Sequence, residues 1–310
     1  MERAGAPVRG TQSFVNVMSS VWRRPWLTAL EVAWRWVVGV IVLYLGSVAL
    51  GSQGIGIATN SATLRSASVF QPVAAIQSIE QVGRTLWADA MPGLRVLIPV
   101  VVVLWLVAAA VGRTIVLGRM DRMLKPRWFT MLVFGTMRAG LVTAVWGLLL
   151  GAIAWGVRVT ILRPAAAHAE PNLVLFCAIV IVAALGLYVL WAAFSWPFYL
   201  APLIAMEQGL GAVAAFKAAL RGGDVRGKLI EINQVMNIVK IAALVLAMVF
   251  SASPLPFSSV ETQAFLNCWW GGVILLYLVA VDYFHVVRAA AYLSLWRAYN
   301  ISGQGNTAGR

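Results

Sequence analysis

SWPFYLAPLIAMEQGLGAVAAFKAALRGGDVRGKLIE, residues 195–231, is the stretch that decides how this chain is organised. An apolar segment ends there in two prolines and a glutamate, a short amphipathic segment follows, and two glycines precede a basic run. The helical spacing places its bulky apolar residues and one lysine on a single face. These residues are Leu210, Val213, Phe216, Lys217 and Leu220. The pattern predicts an elbow, residues 204–229, that lies on the cytoplasmic surface between two membrane spans.

Composition indicates that the rest of the chain is solvated by lipid. Of the 310 residues, 61% are hydrophobic and 11% are charged, and the mean hydropathy is +0.84. These values predict an integral membrane protein rather than soluble domains. The net charge of +13 is spread along segment ends instead of forming a patch with stacking aromatic residues. We therefore predict no nucleic-acid partner.

Six apolar segments are long enough to cross about 30 Å of hydrocarbon. They lie at 27–50, 94–117, 128–155, 172–203, 230–252 and 264–297. We predict an all-α fold, a polytopic membrane bundle of six transmembrane helices with short amphipathic interfacial helices. Its parts are a cytoplasmic amphipathic N-terminal segment at 1–26, a six-helix transmembrane domain at 27–297 with an external segment at 51–93, and a flexible cytoplasmic tail at 298–310.

Lysine and arginine residues predict the orientation of these spans. Most of the 24 fall in the segments that lie on the same side as the two termini. Because such residues are enriched in cytoplasmic loops, we expect both termini in the cytoplasm and the protein in the inner, or plasma, membrane.

Two further amphipathic segments accompany the spans. In residues 11–25, Phe14, Met18, Val21 and Trp22 share a helical face, which predicts a helix lying on the cytoplasmic surface. Apolar residues at near-helical spacing in residues 70–86 predict a short helix on the outer surface. That second helix is either a plain connector or a lid over a pathway.

The chain resembles three copies of one unit. Each copy has an amphipathic element, a basic boundary, a span with one basic residue inside it, and a return span. The basic residues inside the spans are Arg35, Arg138 and Lys240. The pattern predicts three like helical hairpins around a pseudo-threefold axis.

Ionisable residues inside the spans form a candidate polar site, because each costs about 2.5–3.5 kcal/mol at mid-span. They are Glu31, Arg35, Arg138, Lys240, Asp282, His285 and Arg288. In one interpretation they line a polar cavity open to the cytoplasm, where Asp282 and His285 bind a proton or ligand, and Arg138 and Lys240 bind an anion or lipid headgroup. In the other, Glu31 pairs with Arg35, Asp282 pairs with Arg138 or Arg288, and the remaining basic side chains reach the interface.

No catalytic constellation is apparent in the sequence. It contains no nucleotide-binding, metalloprotease or acyl-hydrolase motif, and only two histidines. We therefore expect no enzymatic activity, no catalytic residue, no metal and no cofactor. We predict Cys177 and Cys268 to be small buried side chains, with a disulfide as the alternative if their helices are neighbours.

Two stretches carry a family resemblance. Arg23-Arg24-Pro25-Trp26 forms a basic-aromatic boundary, and a proline and Glu207 precede an alanine-rich helix that ends at Arg221-Gly222. This arrangement resembles the bacterial six-helix membrane domains that occur alone as integral membrane proteins or in front of glycerophosphodiester phosphodiesterases. The resemblance implies a six-helix membrane domain. It does not imply phosphodiester hydrolysis, because the phosphodiesterase catalytic domain does not appear in this sequence.

Taken together, these features predict a non-catalytic scaffold or regulator of a membrane or envelope process. It would act through a basic face made of Lys217, Arg221, Arg226 and Lys228. We expect this face to contact anionic lipids of the bilayer, and we expect a membrane-protein or homo-oligomeric partner as a further possibility. The alternative is a transporter or channel for a small anionic or lipid-like solute that uses the intramembrane charges.

Overall fold

The computed structural model describes residues 10–51, 72–223, 225–252 and 262–307. Within these ranges the chain is helical apart from short turns, and it has no β-strand. The helices are α1 (Gly10–Trp22), α2 (Pro25–Gly51), α3 (Pro72–Met120), α4 (Trp128–Val157), α5 (Arg163–Ala166), α6 (Leu173–Phe194), α7 (Pro197–Gln208), α8 (Ala212–Leu220), α9 (Val225–Ala252) and α10 (Gln263–Thr307). A π-helical turn, Arg158–Leu162, joins α4 to α5. The predicted all-α fold is confirmed.

The described ranges contain six helical stretches that are long and apolar enough to cross a membrane. They are Pro25–Ala49, Ala90–Met120, Trp128–Ala166, Leu173–Gln208, Val225–Ala252 and Gln263–Asn300. Each overlaps one of the six predicted spans. The chain is therefore a multi-pass membrane protein.

Two helices are longer than predicted. Helix α3 has 49 residues and includes Pro92 and Pro99, so the segment expected to form a separate short helix is instead continuous with the helix of the second span. A proline removes one backbone hydrogen bond from a helix. A break in the helix at either proline would leave several backbone groups unpaired in lipid, so the helix continues through both. The backbone of α10 is helical through Thr307, well into the segment predicted as a tail. Most of residues 51–71 and the last three residues lie outside the described part.

The fourth predicted span is broken near its end. Helix α6 ends at Phe194 and α7 begins at Pro197, which lacks a backbone N–H and so suits the first position of a helix. At the break, the side chain of Asn233 donates a 2.6 Å hydrogen bond to the carbonyl oxygen of Ala192. The carbonyl group of Ala192 near the break therefore has a hydrogen-bond partner within the protein, as its apolar surroundings require.

The described helices divide into two compact units. Unit 1 comprises residues 1–35, 109–134 and 192–310, and it contains a hydrophobic core. Helix α7 is buried along most of its length, and Leu200 and Ile204 are completely inaccessible. These side chains pack with buried residues of α8, α9 and α10.

Unit 2 comprises residues 36–108 and 135–191, and its apolar side chains are mostly exposed. Val182 and Leu185 of α6 are exposed over more than half of their surface. Among the residues of unit 2 that the structure describes, buried apolar side chains are few and include Val38, Val82 and Ile161. Such surfaces suit helices whose solvent is lipid, because leaving lipid gives an apolar side chain little free energy.

Helix α1 packs against the core of unit 1 on one side. Val21 is buried, and Met18 packs partly against the core. The hydroxyl of Tyr283 on α10 donates a 3.1 Å hydrogen bond to the carbonyl of Met18. Trp22 is largely exposed but touches the Tyr283 ring edge-on. The face predicted for this helix is therefore divided between the core and the surface, and the side chain of Phe14 lies outside the described part.

Both cysteines are free and exposed, so the prediction that Cys177 and Cys268 are buried is wrong. They lie in the apolar helices α6 and α10. In a membrane protein an apolar segment can direct its small side chains toward lipid as well as toward protein. Apolar neighbours in the sequence therefore do not show that a cysteine side chain is buried.

Candidate functional site

Five of the seven ionisable residues predicted inside the spans form one charge cluster in unit 1. Glu31 and Arg35 come from α2, and Asp282, His285 and Arg288 come from α10. The guanidinium Nη2 of Arg35 lies 2.6 Å from Glu31 Oε1, which confirms that predicted pair. Its Nη1 lies 2.6 Å from Asp282 Oδ1. The planar fork of Arg35 thus binds two carboxylates at once. The predicted pairing of Asp282 with Arg288 is wrong, because Asp282 pairs with Arg35 and Arg288 contacts neutral groups. The alternative pairing with Arg138 stays a prediction.

Glu31 is the most deeply buried carboxylate of the charge cluster, with 1% of its surface exposed. Its Oε1 is paired with Arg35, and its Oε2 accepts a 2.9 Å hydrogen bond from the indole Nε1 of Trp34. The guanidinium of Arg35 also lies 5.4 Å from the centre of the Trp34 ring, within the range of a cation–π contact. Trp34 was not among the predicted site residues, although its place one turn from Glu31 suggested a contact.

Arg288 is almost fully buried, and its contacts are with neutral groups. Its Nη1 donates to Asn233 Oδ1 at 3.3 Å, and its Nη2 donates to His285 Nδ1 at 3.2 Å. The guanidinium carbon lies 3.6 Å from the centre of the Tyr199 ring. The ring face and the two acceptors stabilise a cation that would otherwise be expensive to bury.

Asn233 extends this network to the break between α6 and α7. It is inaccessible to solvent, and its amide nitrogen donates to the carbonyl of Ala192 and to Ser195 Oγ. Nearby, the hydroxyl of Tyr292 donates to the carbonyl of Leu229 at 3.0 Å. Sequence reasoning considered only ionisable residues and therefore missed Asn233, whose position inside an apolar span was the available signal.

A cleft of about 40 Å³ adjoins the charge cluster. Its charged or polar lining includes Glu31, Arg113, Tyr199 and His285, and its apolar lining includes Met131 and Phe198. At about 10–15 Å³ for each water, it has room for a few water molecules. The sequence predicted a polar cavity around Asp282 and His285, whereas the lining residues include His285 together with Glu31 and Arg113. Arg113 was missed because it lies at the end of a span and was counted with the loop residues.

The two remaining predicted residues fall in different units. Arg138 lies on α4 in unit 2, and Lys240 lies on α9 in unit 1. Both are half-buried. Lys240 lies within electrostatic range of Asp282 and His285. It is therefore a neighbour of the charge cluster.

A second set of ion pairs, the Arg297 clamp, joins three elements of unit 1. Arg297 on α10 donates through Nε to Glu207 Oε1 at 2.7 Å and through Nη1 to Asp121 Oδ2. The backbone N–H of Met123 donates to Asp121 Oδ1 at 2.9 Å. This N–H and, to a smaller extent, Arg297 lower the pKa of Asp121 below its ordinary value. The ionised carboxylate therefore stabilises the folded protein at neutral pH, and this contribution is lost as the pH falls through the acidic range.

The elbow packs against the core through small residues. Ala215 and Ala219 of α8 are inaccessible, and the Phe216 ring lies 5.3 Å from the Phe198 ring. Val213 is 70% exposed and Leu220 is 51% exposed. The expectation of one bulky apolar face is thus corrected, because the small alanine side chains let the helix approach the core closely. The exposed side keeps three of the five predicted face residues, namely Val213, Lys217 and Leu220.

The segments on both sides of α8 are held by backbone contacts. Gly209 ends α7 with φ of +70°, a left-handed conformation that favours glycine. Arg127 Nη1 donates to the carbonyl of Leu210 at 3.2 Å, and the backbone N–H of Lys125 donates to the carbonyl of Met206 at 3.0 Å. These contacts position α8 relative to the end of α7.

All four residues of the basic face are exposed. Lys217 and Arg221 lie before the glycine turn, and Arg226 and Lys228 lie after it. Gly223 in this turn has φ of +41°. The guanidinium of Arg226 lies 6.0 Å from the Trp196 ring, at the limit of a cation–π contact.

In the described ranges, no three His, Cys, Asp or Glu side chains lie close enough together to hold a metal ion. Comparison with known proteins finds no matching family model, no similar curated protein and no similar solved structure. The charge cluster, the Arg297 clamp and the basic face are the features from which a function can be inferred.

Proposed function

We propose that this protein is a non-catalytic scaffold or regulator in the inner membrane, and that it acts through the basic face on the cytoplasmic side. The observation that supports this proposal most is the division of α8. Ala215 and Ala219 pack into the core, while Lys217 stays exposed between the apolar side chains of Val213 and Leu220. A basic residue flanked by exposed apolar residues is the pattern of a helix at a lipid headgroup layer.

The partner that this surface fits is the anionic headgroup layer of the inner leaflet. Each lysine or arginine near such a layer contributes about 1 kcal/mol, and the attraction falls within about 8 Å at physiological salt. The four basic residues of the face stand on both sides of one turn, so several can contact the same layer. Val213 and Leu220 add apolar surface that would enter the boundary between headgroups and acyl chains.

Side-chain contacts fix the start of the elbow, which favours a scaffold over a gate that moves. Glu207, near the end of α7, is bound by Arg297, and Leu210, between α7 and α8, is bound by Arg127. Less conformational freedom is then lost when the basic face binds, because the surface is already ordered. The Arg297 clamp therefore helps to keep the basic face ordered and available to the headgroup layer.

The proposal can be tested with one labelled position. We would replace Val213 by Cys in a background that carries Cys177→Ala and Cys268→Ala, and place the protein in nanodiscs with or without phosphatidylglycerol. The measurement is the rate of reaction with a water-soluble maleimide. We expect the anionic lipid to slow this reaction several-fold, and we expect high salt to reverse the effect.

Neutralisation of the basic face provides the decisive comparison. Replacement of Lys217, Arg221, Arg226 and Lys228 by Gln should abolish the lipid dependence, whereas Arg84→Gln in unit 2 should leave it intact. A reaction rate that is indifferent to lipid charge and salt in the unneutralised protein would refute the proposal. Slowing only by an added acidic protein would point to a soluble partner instead.

A second candidate function is a transporter or channel for a small anionic or lipid-like solute. The observation that favours it is the buried charge cluster, because ionisable residues inside a membrane mark many solute pathways. Proteoliposome flux that is lost in Asp282→Asn would support this candidate. The pairing of Asp282 with Arg35 favours the scaffold, since the pair stabilises the fold without any transported ligand.

A further inference from the structure

The loop between α3 and α4 lies where two membrane spans meet the lipid headgroup layer. The span Ala90–Met120 ends directly before this loop, and the span Trp128–Ala166 begins directly after it. The backbone N–H of Lys125 in the loop donates a 3.0 Å hydrogen bond to the carbonyl of Met206. The loop therefore lies beside the start of the elbow, at the same side of the membrane.

Internal contacts hold this loop in one conformation. The backbone N–H of Met123 donates to Asp121 Oδ1 at 2.9 Å, and the backbone N–H of Leu124 donates to the carbonyl of Asp121 at 3.2 Å. Leu124 is buried in the core of unit 1. Its two neighbours, Met123 and Lys125, are exposed. Their positions are fixed before any ligand arrives, so less conformational freedom is lost when one binds.

Three large apolar side chains are exposed in this region. Met123 is 75% exposed, Trp128 is 58% exposed and Phe129 is 64% exposed. The rings of Trp128 and Phe129 contact each other edge-on, with their centres 6.0 Å apart. Tryptophan favours the boundary between membrane and water, because its ring is apolar and its N–H is polar. The three side chains therefore suit the boundary between headgroups and acyl chains.

Exposed cations lie next to these apolar residues in the chain. They are Arg119, Arg122 and Lys125. None of them forms a salt bridge with any residue that the structure describes. Asp121 is the only acidic residue of the sequence between positions 119 and 129, and its carboxylate is engaged by Arg297 and by the loop backbone. The charge of the loop is therefore complementary to anionic headgroups.

We propose that this region binds anionic phospholipid of the leaflet that the elbow faces. The α3–α4 surface, as we name it, consists of Arg119, Arg122, Met123, Lys125, Trp128 and Phe129. Its apolar side chains enter the boundary between headgroups and acyl chains, and its cations bind the phosphate groups. The α3–α4 surface shares no residue with the basic face, so this proposal stands whether or not the basic face binds lipid.

The direct test attaches a fluorescent label to Met123→Cys in a background that carries Cys177→Ala and Cys268→Ala. The hydrogen bond of Met123 to Asp121 uses the backbone, so the substitution should not disturb the loop. The full chain is placed in nanodiscs that contain a lipid with a spin-label quencher on its acyl chain, near the headgroup. This quencher lipid is either phosphatidylglycerol or phosphatidylcholine. We expect the phosphatidylglycerol form to quench several-fold more strongly at low salt, and we expect high salt to reduce the difference.

Variants of the two central cations test the cause of this preference. Arg122→Gln combined with Lys125→Gln should make the two lipids quench almost equally, because the charges beside the label are lost. Arg122→Lys combined with Lys125→Arg keeps both charges and should retain the preference. Arg158→Gln, at an exposed arginine near the other end of the third span, is the matched control and should change nothing. Neutralisation of the basic face should also leave the preference intact, which separates this proposal from the proposed function.

The proposal is overturned if neither lipid quenches the label in the folded parent protein, or if both quench it equally. It is also overturned if the double glutamine variant keeps the full preference, or if neutralisation of the basic face alone abolishes it. Protection of the label by an added acidic protein, without quenching by lipid, would assign the surface to a soluble partner instead. The parent protein alone can refute the proposal, so the test does not depend on the folding of a charge variant.

Discussion

Unit 1 and unit 2 are both made of apolar helices, yet they bury their side chains very differently. In unit 1, Leu200 and Ile204 of α7 are inaccessible, whereas in unit 2 Val182 and Leu185 of α6 are largely exposed. Lipid tails are as apolar as leucine, so burial against protein gives such a side chain little advantage over lipid. Hydrophobicity is therefore sufficient to insert the helices of both units into the membrane, but it does not determine how those helices pack.

Polar residues account for the difference. In unit 1, Asn233, Arg35 and Arg288 each bond to a residue of another helix. In unit 2, Ser78 and Thr160 donate to a backbone carbonyl of their own helix. A side chain that bonds within its own helix needs no neighbour, whereas a buried charge requires a partner from elsewhere. Ionisable and amide side chains therefore draw the helices of unit 1 together.

The largest expected effect comes from removing the arginine that holds two carboxylates. Arg35→Gln leaves the buried Glu31 and Asp282 without their shared cation and should lower the free energy of unfolding by about 3–5 kcal/mol. Arg84→Gln, which breaks the exposed pair with Glu80 in unit 2, should change it by less than about 0.5 kcal/mol. Equilibrium unfolding in detergent measures both, and equal effects would contradict the proposed difference between the units.

A matched pair of leucines tests the packing directly. Leu200→Ala should destabilise the protein by about 2–5 kcal/mol, because a fully buried side chain leaves a cavity. Leu185→Ala, at a position that is 60% exposed, should cost less than about 1 kcal/mol since lipid fills the space. The same unfolding measurement in bilayer-like conditions compares them. A large loss for Leu185→Ala would mean that unit 2 packs against protein there.

The smallest effect comes from adding one methyl group to a glycine. A Cβ atom at Gly112 would lie 2.5 Å from Cδ2 of Trp34, so Gly112→Ala should cost about 1–3 kcal/mol by overpacking the ring that donates to Glu31. In unit 2, a Cβ at Gly140 would meet nothing within 4 Å. Gly140→Ala should be neutral or stabilising by up to about 1 kcal/mol. Thermal unfolding ranks the two variants, and the opposite order would show that Trp34 moves freely.

The amino-acid sequence was sufficient to predict the six spans. Spans follow from the length of apolar segments, because any helix that crosses the hydrocarbon needs about 20 apolar residues. The pair between Glu31 and Arg35 was also predictable, since residues four apart meet on one helix whatever surrounds them. These are local or compositional properties that a chain carries before its helices meet.

Only the tertiary structure decided which helices meet and through which side chains. It paired Asp282 with Arg35, brought Arg113 and His285 to one cleft, and turned the alanines of α8 toward the core. It also placed Cys177 and Cys268 at exposed positions. The physical reason is that lipid and protein interior are both apolar, so sequence periodicity does not tell a lipid-facing side chain from a buried one. Shape and the need of each polar group for a partner make that choice, and both depend on neighbours that are distant in the chain.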